Sequence, residues 1–539
     1  MKKKIRSLLA LALAVLLVFS LVACGGTNNA DGTSAQNGQN GGTSSDNAAG
    51  SEDTTFEVVV AASSEPESMD PQLSGAASGG NITYNIFDFL VRMDASGGES
   101  VPSLATSWEK VDDTTWRFYL RENVKFSNGE DFNADDVIYT LDRIFEPDSG
   151  RTTYNLQVLE SWEKVDDYTV DLHTECVVSD MPTRLYDMAI LPNEYCASIS
   201  AEEFGQNPVG CGPYMLEEWR TNDYISLVYN ENYWGETPSC TKITFRSIPE
   251  ISTRLAELMA GTVDIVVDLN PDYVDTVNSY EGYRAVSALS KRVPYIGIDL
   301  LNEDSPEELQ DVRVRQALNY AIDRDAIIEN VYNGYALKLA TIWREDYVGY
   351  SEELSGGENA YPYDPDMARS LLAEAGYADG FTIDLYYTDN MFLKCEETCL
   401  AVASYLEDIG ITVNVIQHEY NALRAELING QANHLVKGLF AWNWGAQPQT
   451  PAGHLAGAIE RTGITSYYTS SEVDDLIAQL RVTDGYERVA VAQELQEYLY
   501  EDCPYIFLWQ QMDIYGVSNT LNWTPRLDQY ILACDIMLA

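Results

Sequence analysis

Flat aromatic side chains alternate with amides in one short segment of the last third of the chain. Trp442 and Trp444 flank Asn443, and Gln447 follows three residues later. Such a combination suits sugar rings or a neutral, modified or longer peptide, because rings stack while amides form hydrogen bonds. If the segment is a strand, the two tryptophans share one face. The alternative is that one of them packs in the core and the other belongs to a lid.

The sequence offers little support for catalysis or metal binding. It has no G-x-S-x-G or H-E-x-x-H motif and no S-x-x-K in a suitable context. A carboxylate pair cannot be excluded by counting in a chain with 84 Asp and Glu, so a surface hydrolase stays open as the rival class. The four histidines lack ligand spacing. We therefore expect no enzyme, no catalytic residue, no metal and no cofactor.

Eight cysteines remain after Cys24, which permits disulfides in an exported chain without fixing their pairing. Cys395 and Cys399 lie four residues apart on a predicted helix, which favours side-by-side packing over a bridge. We expect most of the eight to be small buried apolar residues.

The N-terminus has the pattern of an export signal. Four cationic residues within Met1–Arg6 precede the apolar run Leu8–Val22, and small residues stand just before Cys24. This arrangement resembles the lipobox of bacterial lipoproteins, which implies cleavage after residue 23 and acylation of Cys24. The membrane would be contacted only through this lipid anchor. An ordinary signal peptide with a chance cysteine is the alternative.

Residues 24–55 are predicted to form a disordered tether, since 25–55 contain no aromatic residue and no Val, Ile, Leu or Met. The body that follows is too long for one core, so we expect two or three subdomains. The net charge of −51 argues against nucleic acid as a partner and is most simply a solubilising surface.

Short β-rich runs alternate with well-capped helices, which predicts the α/β class. The segments S-W-E-K-V-D-D-T-T-W and S-W-E-K-V-D-D-Y-T-V, at Ser107 and Ser161, predict two hairpins of one small sheet. Asn133 is predicted to cap a helix, and Pro365 and Gly376 bracket another. Strand Phe381–Tyr387, helix Lys394–Ile409 and strand Ile411–Gln417 imply a parallel crossover.

Six segments follow one another along the body: Ser68–Leu73, Pro102–Val137, Asn207–Tyr214, Asn230–Trp234, Asp311–Ile328 and Tyr363–Tyr377. Read in order, they resemble the family 5 extracellular solute-binding proteins, the dipeptide, oligopeptide and nickel binders of bacterial ABC importers. The resemblance covers essentially the whole body, with Cys211 standing where the family usually has threonine.

This resemblance implies a two-lobe periplasmic-binding-protein-like fold with an extra small domain, of the large peptide-binding type. The chain would cross between the lobes near Arg292 and Gln511, which would form the hinge. The implied division is residues 56–90, 207–291 and 512–539 for lobe one, 91–206 for the extra domain and 292–511 for lobe two.

The resemblance also places the ligand site. Peptide-binding members pair an aspartate with the peptide ammonium where this chain has Gln447, and Thr450 replaces a second acid. Dipeptide binders carry an arginine for the ligand carboxylate where this chain offers only Lys394. Lobe one would add the loop of small residues that lets the backbone approach a ligand, Ser74, Gly75, Ala76, Ala77 and Ser78.

The sequence therefore predicts a monomeric, lipid-anchored substrate-binding protein on the outer face of the cell membrane. It would capture a peptide or peptide-like solute between two lobes and deliver it to the permease and ATPase of an ABC importer. An oligosaccharide ligand within the same family, or a ligand-sensing receptor without transport, are the alternatives.

Overall fold

The structure of the chain is a computed structural model. It describes residues 55–73, 77–94, 100–146, 156–389, 391–428, 436–445, 455, 457–461, 463 and 465–539. Within these residues no helix is long and apolar enough to cross a membrane. The predicted export signal, Cys24 and the predicted tether up to residue 54 lie outside them.

The strands of the described residues are rich in β-branched and aromatic side chains. Numbered in chain order, they are β1 Phe56–Ala62, β2 Val91–Met93, β3 Ser100–Pro102, β4 Ala105–Asp112, β5 Thr115–Leu120, β6 Leu159–Asp166, β7 Thr169–Thr174, β8 Tyr214–Arg220, β9 Tyr224–Tyr229, β10 Cys240–Ser247, β11 Ile265–Val266, β12 Tyr283–Leu289, β13 Arg292–Ile298, β14 Ala336–Lys338, β15 Thr382–Tyr387, β16 Thr412–Gln417, β17 Leu439–Gly445, β18 Tyr505–Phe507, β19 Trp509–Ser518, β20 Leu521–Asn522 and β21 Met537–Leu538.

Several helices begin after residues whose side chains accept from free backbone N–H groups, as Asn133, Asp311 and Asp364 do. Numbered in the same way, they are α1 Ala77–Ile86, α2 Ala134–Ile144, α3 Met181–Arg184, α4 Asn193–Ser198, α5 Ala201–Gln206, α6 Ile251–Met259, α7 Val274–Ser279, α8 Val312–Tyr320, α9 Arg324–Tyr332, α10 Glu352–Ser355, α11 Pro365–Ala375, α12 Cys395–Asp408, α13 Tyr420–Ile428, α14 Ser471–Val482 and α15 Gly485–Asp502.

The first lobe is built on a mixed sheet that has eight strands within the described residues. Its order is β12-β19-β11-β1-β10-β9-β8, and β14 also pairs with β19. The central strand β1 runs parallel to β10 and β11. Val58 and Val60 face one apolar cluster while Ala61 faces another, so both faces of this sheet are covered.

The second lobe is built on a sheet with the order β16-β15-β17-β13-β18 among the described residues. The helices of this lobe share one large core with the sheet, and Trp509 at the start of β19 also enters that core. Strand β15 pairs in parallel with β16 and with β17, as the predicted crossover requires. Strand β17 therefore lies inside the sheet, between β15 and β13.

A third, antiparallel sheet contains both copies of the S-W-E-K-V-D-D segment. Its order is β4-β5-β7-β6, so the two hairpins meet through β5 and β7. Trp108 faces Phe118 and Trp162 faces Leu172 at equivalent positions of the two hairpins. The prediction of one small sheet with two hairpins is confirmed.

Two segments connect the first lobe to the second, and they lie side by side. One joins β12 to β13 through Ser290 and Lys291, and the other is β19 itself. The Ser290 amide donates to the Gln511 carbonyl (2.8 Å), and Gln510 Nε2 donates to the Ser290 carbonyl (2.8 Å). These crossings coincide with the two positions at which a hinge was predicted, although the hinge motion itself stays a prediction.

Most local predictions agree with the structure to within one residue at each end. Strand β18 ends at Phe507 and Trp509 already begins β19, because the chain leaves one sheet for the other at Leu508. All eight described cysteines are free; six are buried, whereas Cys176 and Cys534 are exposed. Cys395 and Cys399 both lie on α12 in the second-lobe core.

Candidate functional site

A cavity of about 530 Å³ lies between the two lobes. Both lobes contribute to its wall, and the two crossing segments lie along one side of it. Its lining residues are Ala62, Ser63, Ser64, Asn81, Val267, Asp268, Leu269, Arg292, Asp389, Phe392, Leu393, Lys394, Gln511, Met512, Asp513, Ile514, Tyr515 and Gln529. We call this space the interlobe cavity.

The first-lobe wall consists of residues that follow the ends of β1 and β11, together with part of β19. Ser63 follows β1, and its hydroxyl donates to Oδ2 of Asp268 (3.1 Å). Asp268 follows β11 and has a left-handed backbone with φ of +54°, a conformation that Asp adopts more readily than most side chains. Asp513 lies on β19 directly opposite Ala288 of β12. Two carboxylates thus approach the cavity from this lobe.

The second-lobe wall is the loop between β15 and α12, which three hydrogen bonds hold in place. The Leu393 amide donates to Oε1 of Gln511 (3.3 Å), and the Tyr332 hydroxyl donates to the Leu393 carbonyl (2.5 Å). Asn443 Nδ2 donates to the Met391 carbonyl (3.2 Å). Asn443, which the sequence singled out as a ligand residue, thereby positions the loop that lines the cavity.

Lys394 lines the cavity, as the sequence predicted, but its charge is already compensated. Its Nζ lies 2.7 Å from Oδ2 of Asp272 and 3.3 Å from Oε1 of Glu397. Although burial opposes the charged form, these two carboxylates raise the pKa of Lys394. Asp272 belongs to the first lobe, so this ion pair joins the two lobes at the edge of the cavity.

Asp513 differs from the other carboxylates of the wall because one of its two carboxylate oxygens has no hydrogen-bond partner. Its Oδ1 accepts a hydrogen bond from Gln511 Nε2 (3.3 Å), whereas its Oδ2 is enclosed and has no hydrogen-bond partner. Burial raises the pKa of Asp513, against the opposing effects of Arg292 and Ser290. An enclosed carboxylate oxygen without a partner is costly, so its presence beside a cavity calls for an explanation.

The two predicted tryptophans do share one face of β17, but they do not belong to the described lining of the interlobe cavity. Trp442 is 6% exposed and part of the second-lobe core, and Trp444 packs against the same core and against Gly457. An inner strand has both faces covered, which explains this placement. A contact between either tryptophan and a solute stays a prediction.

The side chains of the remaining predicted ligand residues lie outside the described part of the structure. Ser74, Gly75, Ala76 and Gln447 lie outside the described residues, and the side chains of Ala77 and Ser78, at the start of α1, are also outside them. Asn81, one turn further along α1, does line the cavity.

Sequence reasoning missed Asp268, Asp389 and Asp513, and it named Arg292 only as a hinge position. Arg292 also lines the cavity, and its charge favours the ionised form of Asp513. Nothing in the sequence separates these acids from the others of so acidic a chain. The one available signal was position, since both Asp268 and Asp513 fall in ranges that the resemblance assigns to lobe one, and Asp513 lies close to the predicted crossing at Gln511.

A second cavity, of about 570 Å³, lies in the region of the third sheet. It is bounded by α2, by Trp162 of β6 and by Phe204 of α5, and it does not extend to the second lobe. Among the described residues, no group of three or more His, Cys, Asp or Glu is placed to hold a metal ion. The interlobe cavity is therefore the better candidate for the functional site.

Two sheet-based lobes, two adjacent crossing segments and a cavity between the lobes define a two-lobe ligand-binding protein of the periplasmic type. A family model for bacterial extracellular solute-binding proteins, family 5, matches residues 99–458. The chain belongs to this family. The family, the α/β two-lobe fold and the role as a solute-binding protein predicted from the motifs are thus confirmed, and an extracytoplasmic location follows from the family.

Characterised relatives align over most of the chain. Heme-binding protein A of Haemophilus influenzae is 28% identical over 568 residues, covering 98% of this chain and 97% of the relative. The dipeptide-binding protein of Escherichia coli (strain K12) is 26% identical over 494 residues, covering 84% and 88%. The fold matches that of the oligopeptide-binding protein AppA from Bacillus subtilis in complex with a nonapeptide, with 23% identity, coverage of 90% and 99%, and a TM-score of 0.72.

Proposed function

We propose that this chain is a lipid-anchored receptor that captures a peptide or peptide-like solute in the interlobe cavity and delivers it to an ABC importer. The observation that carries this proposal is the cavity itself, which has walls from both lobes and enough volume for a small solute. A solute held there contacts both lobes at once, so it favours the conformation in which they are close together.

The choice of a peptide follows from the relatives. The relative from Escherichia coli is a dipeptide-binding protein, and the Bacillus subtilis structure contains a nonapeptide. The Haemophilus influenzae relative is a heme-binding protein, which indicates that family members differ in ligand. The aromatic segment at Trp442 is the feature that favours an oligosaccharide ligand, but the Trp442 side chain is packed in the core. We therefore rank a peptide-like solute first.

The mechanism is capture by closure. Solute binds better to the closed form than to the open form, so its binding shifts the population toward closure. The permease would recognise the closed form, and the ATPase would supply the work of transport. The protein itself would change no covalent bond of the solute, and we propose that it acts as a monomer tethered to the membrane through acylated Cys24.

The test is native mass spectrometry of the purified chain, first as isolated and then after incubation with a library of peptides of two to nine residues and a panel of oligosaccharides. Retention of intact peptides supports the proposal. If only oligosaccharides are retained, the solute is an oligosaccharide and not a peptide. If cleaved peptides are recovered, the protein is a hydrolase. Calorimetry with each retained compound then gives its affinity.

A further inference from the structure

The lining of the interlobe cavity has more negative than positive charge once the ion pairs of its lysine are taken into account. Within the described lining, the charged residues are Asp268, Asp389, Asp513, Arg292 and Lys394. The ammonium of Lys394 is taken by Asp272 and Glu397, which lie outside this lining. Three carboxylates therefore face a single remaining cation, the guanidinium of Arg292, and the cavity has a negative potential.

These three carboxylates differ in the hydrogen bonds that their oxygens accept. Asp268 accepts from the Ser63 hydroxyl (3.1 Å), and Asp389 accepts from Gln417 Nε2 (2.7 Å); both residues are exposed. Asp513 accepts from Gln511 Nε2 through Oδ1, and Ser290 also favours its ionised form, but its enclosed Oδ2 has no hydrogen-bond partner among the described residues. Asp513 is therefore the acid for which a missing donor is most costly.

We propose that Asp513, with Asp268 beside it on the first-lobe wall, binds a cationic group of the solute, an ammonium or a guanidinium. The preferred solute would then carry a positive charge that points toward β19. This inference rests on the proposed function, since it assumes that solute occupies the interlobe cavity, and it adds the charge of the solute and the residue that recognises it.

The physical reason is the enclosure of Oδ2 of Asp513, a half-buried residue that lines the cavity. An ion pair in an enclosed site is screened less than one on the surface, and a charge-assisted hydrogen bond to Oδ2 would satisfy the one oxygen that lacks a donor. Burial raises the pKa of Asp513, which shows that the unliganded site opposes the charged form. A bound cation stabilises the charged form of Asp513, whereas a neutral solute of the same shape does not.

The test uses pairs of probes that differ in positive charge, by one unit in each peptide pair and by two units in the non-peptide pair. The peptide pairs are Ala-Lys-Ala amide against its norleucine analogue, and Ala-Ala-Ala amide against its N-acetylated form. A non-peptide pair is 1,4-diaminobutane against 1,4-butanediol. Affinities are measured by calorimetry at low salt for the native chain, Asp513→Asn and Asp268→Asn. Asp304→Asn is the matched control, because it removes a carboxylate that pairs with Lys437 away from the cavity.

We expect the native chain to bind the charged member of at least one pair about tenfold more tightly than its neutral partner. Asp513→Asn should abolish this preference, Asp268→Asn should reduce it, and Asp304→Asn should leave it unchanged. Asp513→Asn is isosteric and removes an enclosed charge, so its melting temperature should equal or exceed that of the native chain.

Several outcomes separate this inference from the proposed function. If peptides bind with no dependence on charge, or if the preference survives Asp513→Asn, the inference is wrong while the peptide function stands. If only 1,4-diaminobutane is preferred and no peptide binds, the cation site stands and the peptide function fails. If no charged probe is preferred over its partner in any pair, the inference is overturned.

Discussion

Nζ of Lys394 in the second lobe lies 2.7 Å from Oδ2 of Asp272 in the first lobe, and this ion pair bridges the edge of the interlobe cavity. The Lys394 side chain is 13% exposed and that of Asp272 is 54% exposed. Because one partner is largely solvated, the pair is worth about 0.2–1 kcal/mol. It is therefore a weak contact, and we propose that it assists closure without locking the lobes.

Asp272→Asn should weaken solute binding by about two- to fivefold, because the closed form loses this interlobe attraction. Asp272 is not among the described lining residues of the cavity, so the variant leaves those residues unchanged. Solution scattering should show a larger radius of gyration than that of the native chain at the same subsaturating solute concentration.

The control for this prediction is Asp304→Asn, which breaks the 2.7 Å pair with Lys437 inside the second lobe. The difference between Asp272→Asn and the native chain should also shrink in 1 M salt, where exposed charges are screened. Equal affinity of the native chain and Asp272→Asn at low salt would show that this ion pair does not contribute to closure.

A second prediction concerns Lys291, which lies in one crossing segment. Its ammonium is buried, has no hydrogen-bond partner and lies 5.4 Å from the ring centroid of Tyr186 and 5.8 Å from that of Tyr530. Burial lowers the pKa of Lys291 to about 8. The folded state therefore holds this proton less tightly than the unfolded chain, and charged Lys291 costs about 3 kcal/mol of stability below pH 8.

Lys291→Met should therefore raise the free energy of unfolding at pH 7. The gain should shrink as the pH rises from about 8 toward 10.4, because the unfolded native chain then also loses the proton. Denaturant unfolding from pH 6 to 10 measures this trend, with Lys437→Met as the exposed control. A gain that does not depend on pH would assign the effect to packing instead of charge.

Much of the fold could be predicted from the sequence because its signals are local. Asn133 and Asp136 form the capping box of α2, and Gly376 ends α11 with φ of +98°. The two hairpins of the third sheet are predicted by the repeated S-W-E-K-V-D-D segment of the sequence. Each of these features depends on residues close together in the chain, where spacing determines the geometry.

The candidate site could be predicted only in part, because it depends on contacts between distant residues. The sequence shows Lys394 but not that Asp272, 122 residues away, neutralises it. It shows the alternation of Trp442 and Trp444 but not which face of β17 meets the core. It also gives no means of recognising Asp513 as the acid with an unused oxygen, because hydrogen-bond satisfaction is a property of the folded chain.

A third prediction distinguishes a structural from a ligand-binding role for Trp442. Trp442→Ala should cost about 3–5 kcal/mol of stability, because it leaves a large cavity in the second-lobe core. Trp442→Phe should cost far less, since the enclosed indole Nε1 has no hydrogen-bond partner to lose. Denaturant unfolding measures both. Normal stability of Trp442→Ala combined with loss of solute affinity would assign this side chain to the solute instead.

A fourth prediction concerns the membrane anchor, which rests on the sequence around Cys24. Cys24→Ala should release the protein from the membrane fraction, because the acyl chains need the thiol of this residue. Fractionation followed by a high-salt wash measures this, and solute binding by the released protein should be unchanged. Retention of the variant in the washed membrane fraction would contradict the lipid anchor.

The last prediction follows from the raised pKa of Asp513 and concerns the pH dependence of solute binding. A cation binds the ionised carboxylate, so affinity for Ala-Lys-Ala amide should fall as the pH drops through the pKa of Asp513. Because burial raises this pKa above the ordinary value of an aspartate, the loss should begin at a higher pH than for an unperturbed aspartate.

The groups that face Asp513 set the size of this effect. Arg292 and Ser290 favour its ionised form, Asp268 opposes it, and Gln511 donates to Oδ1. In the unliganded protein the sign is opposite: a carboxyl whose folded pKa is raised contributes stability at low pH and loses it as the pH rises through that pKa. Solute binding and unliganded stability should therefore respond to pH in opposite directions at this residue.

Calorimetry of Ala-Lys-Ala amide binding between pH 4 and 8 tests this directly, since the amide probe has no carboxyl group that titrates in this range. Affinity of the native chain should fall by at most about tenfold per pH unit below the pKa of Asp513, as expected for one proton. Asp513→Asn should bind weakly at every pH and lose this slope, whereas Asp304→Asn should keep it. An identical slope in Asp513→Asn would show that another group controls binding.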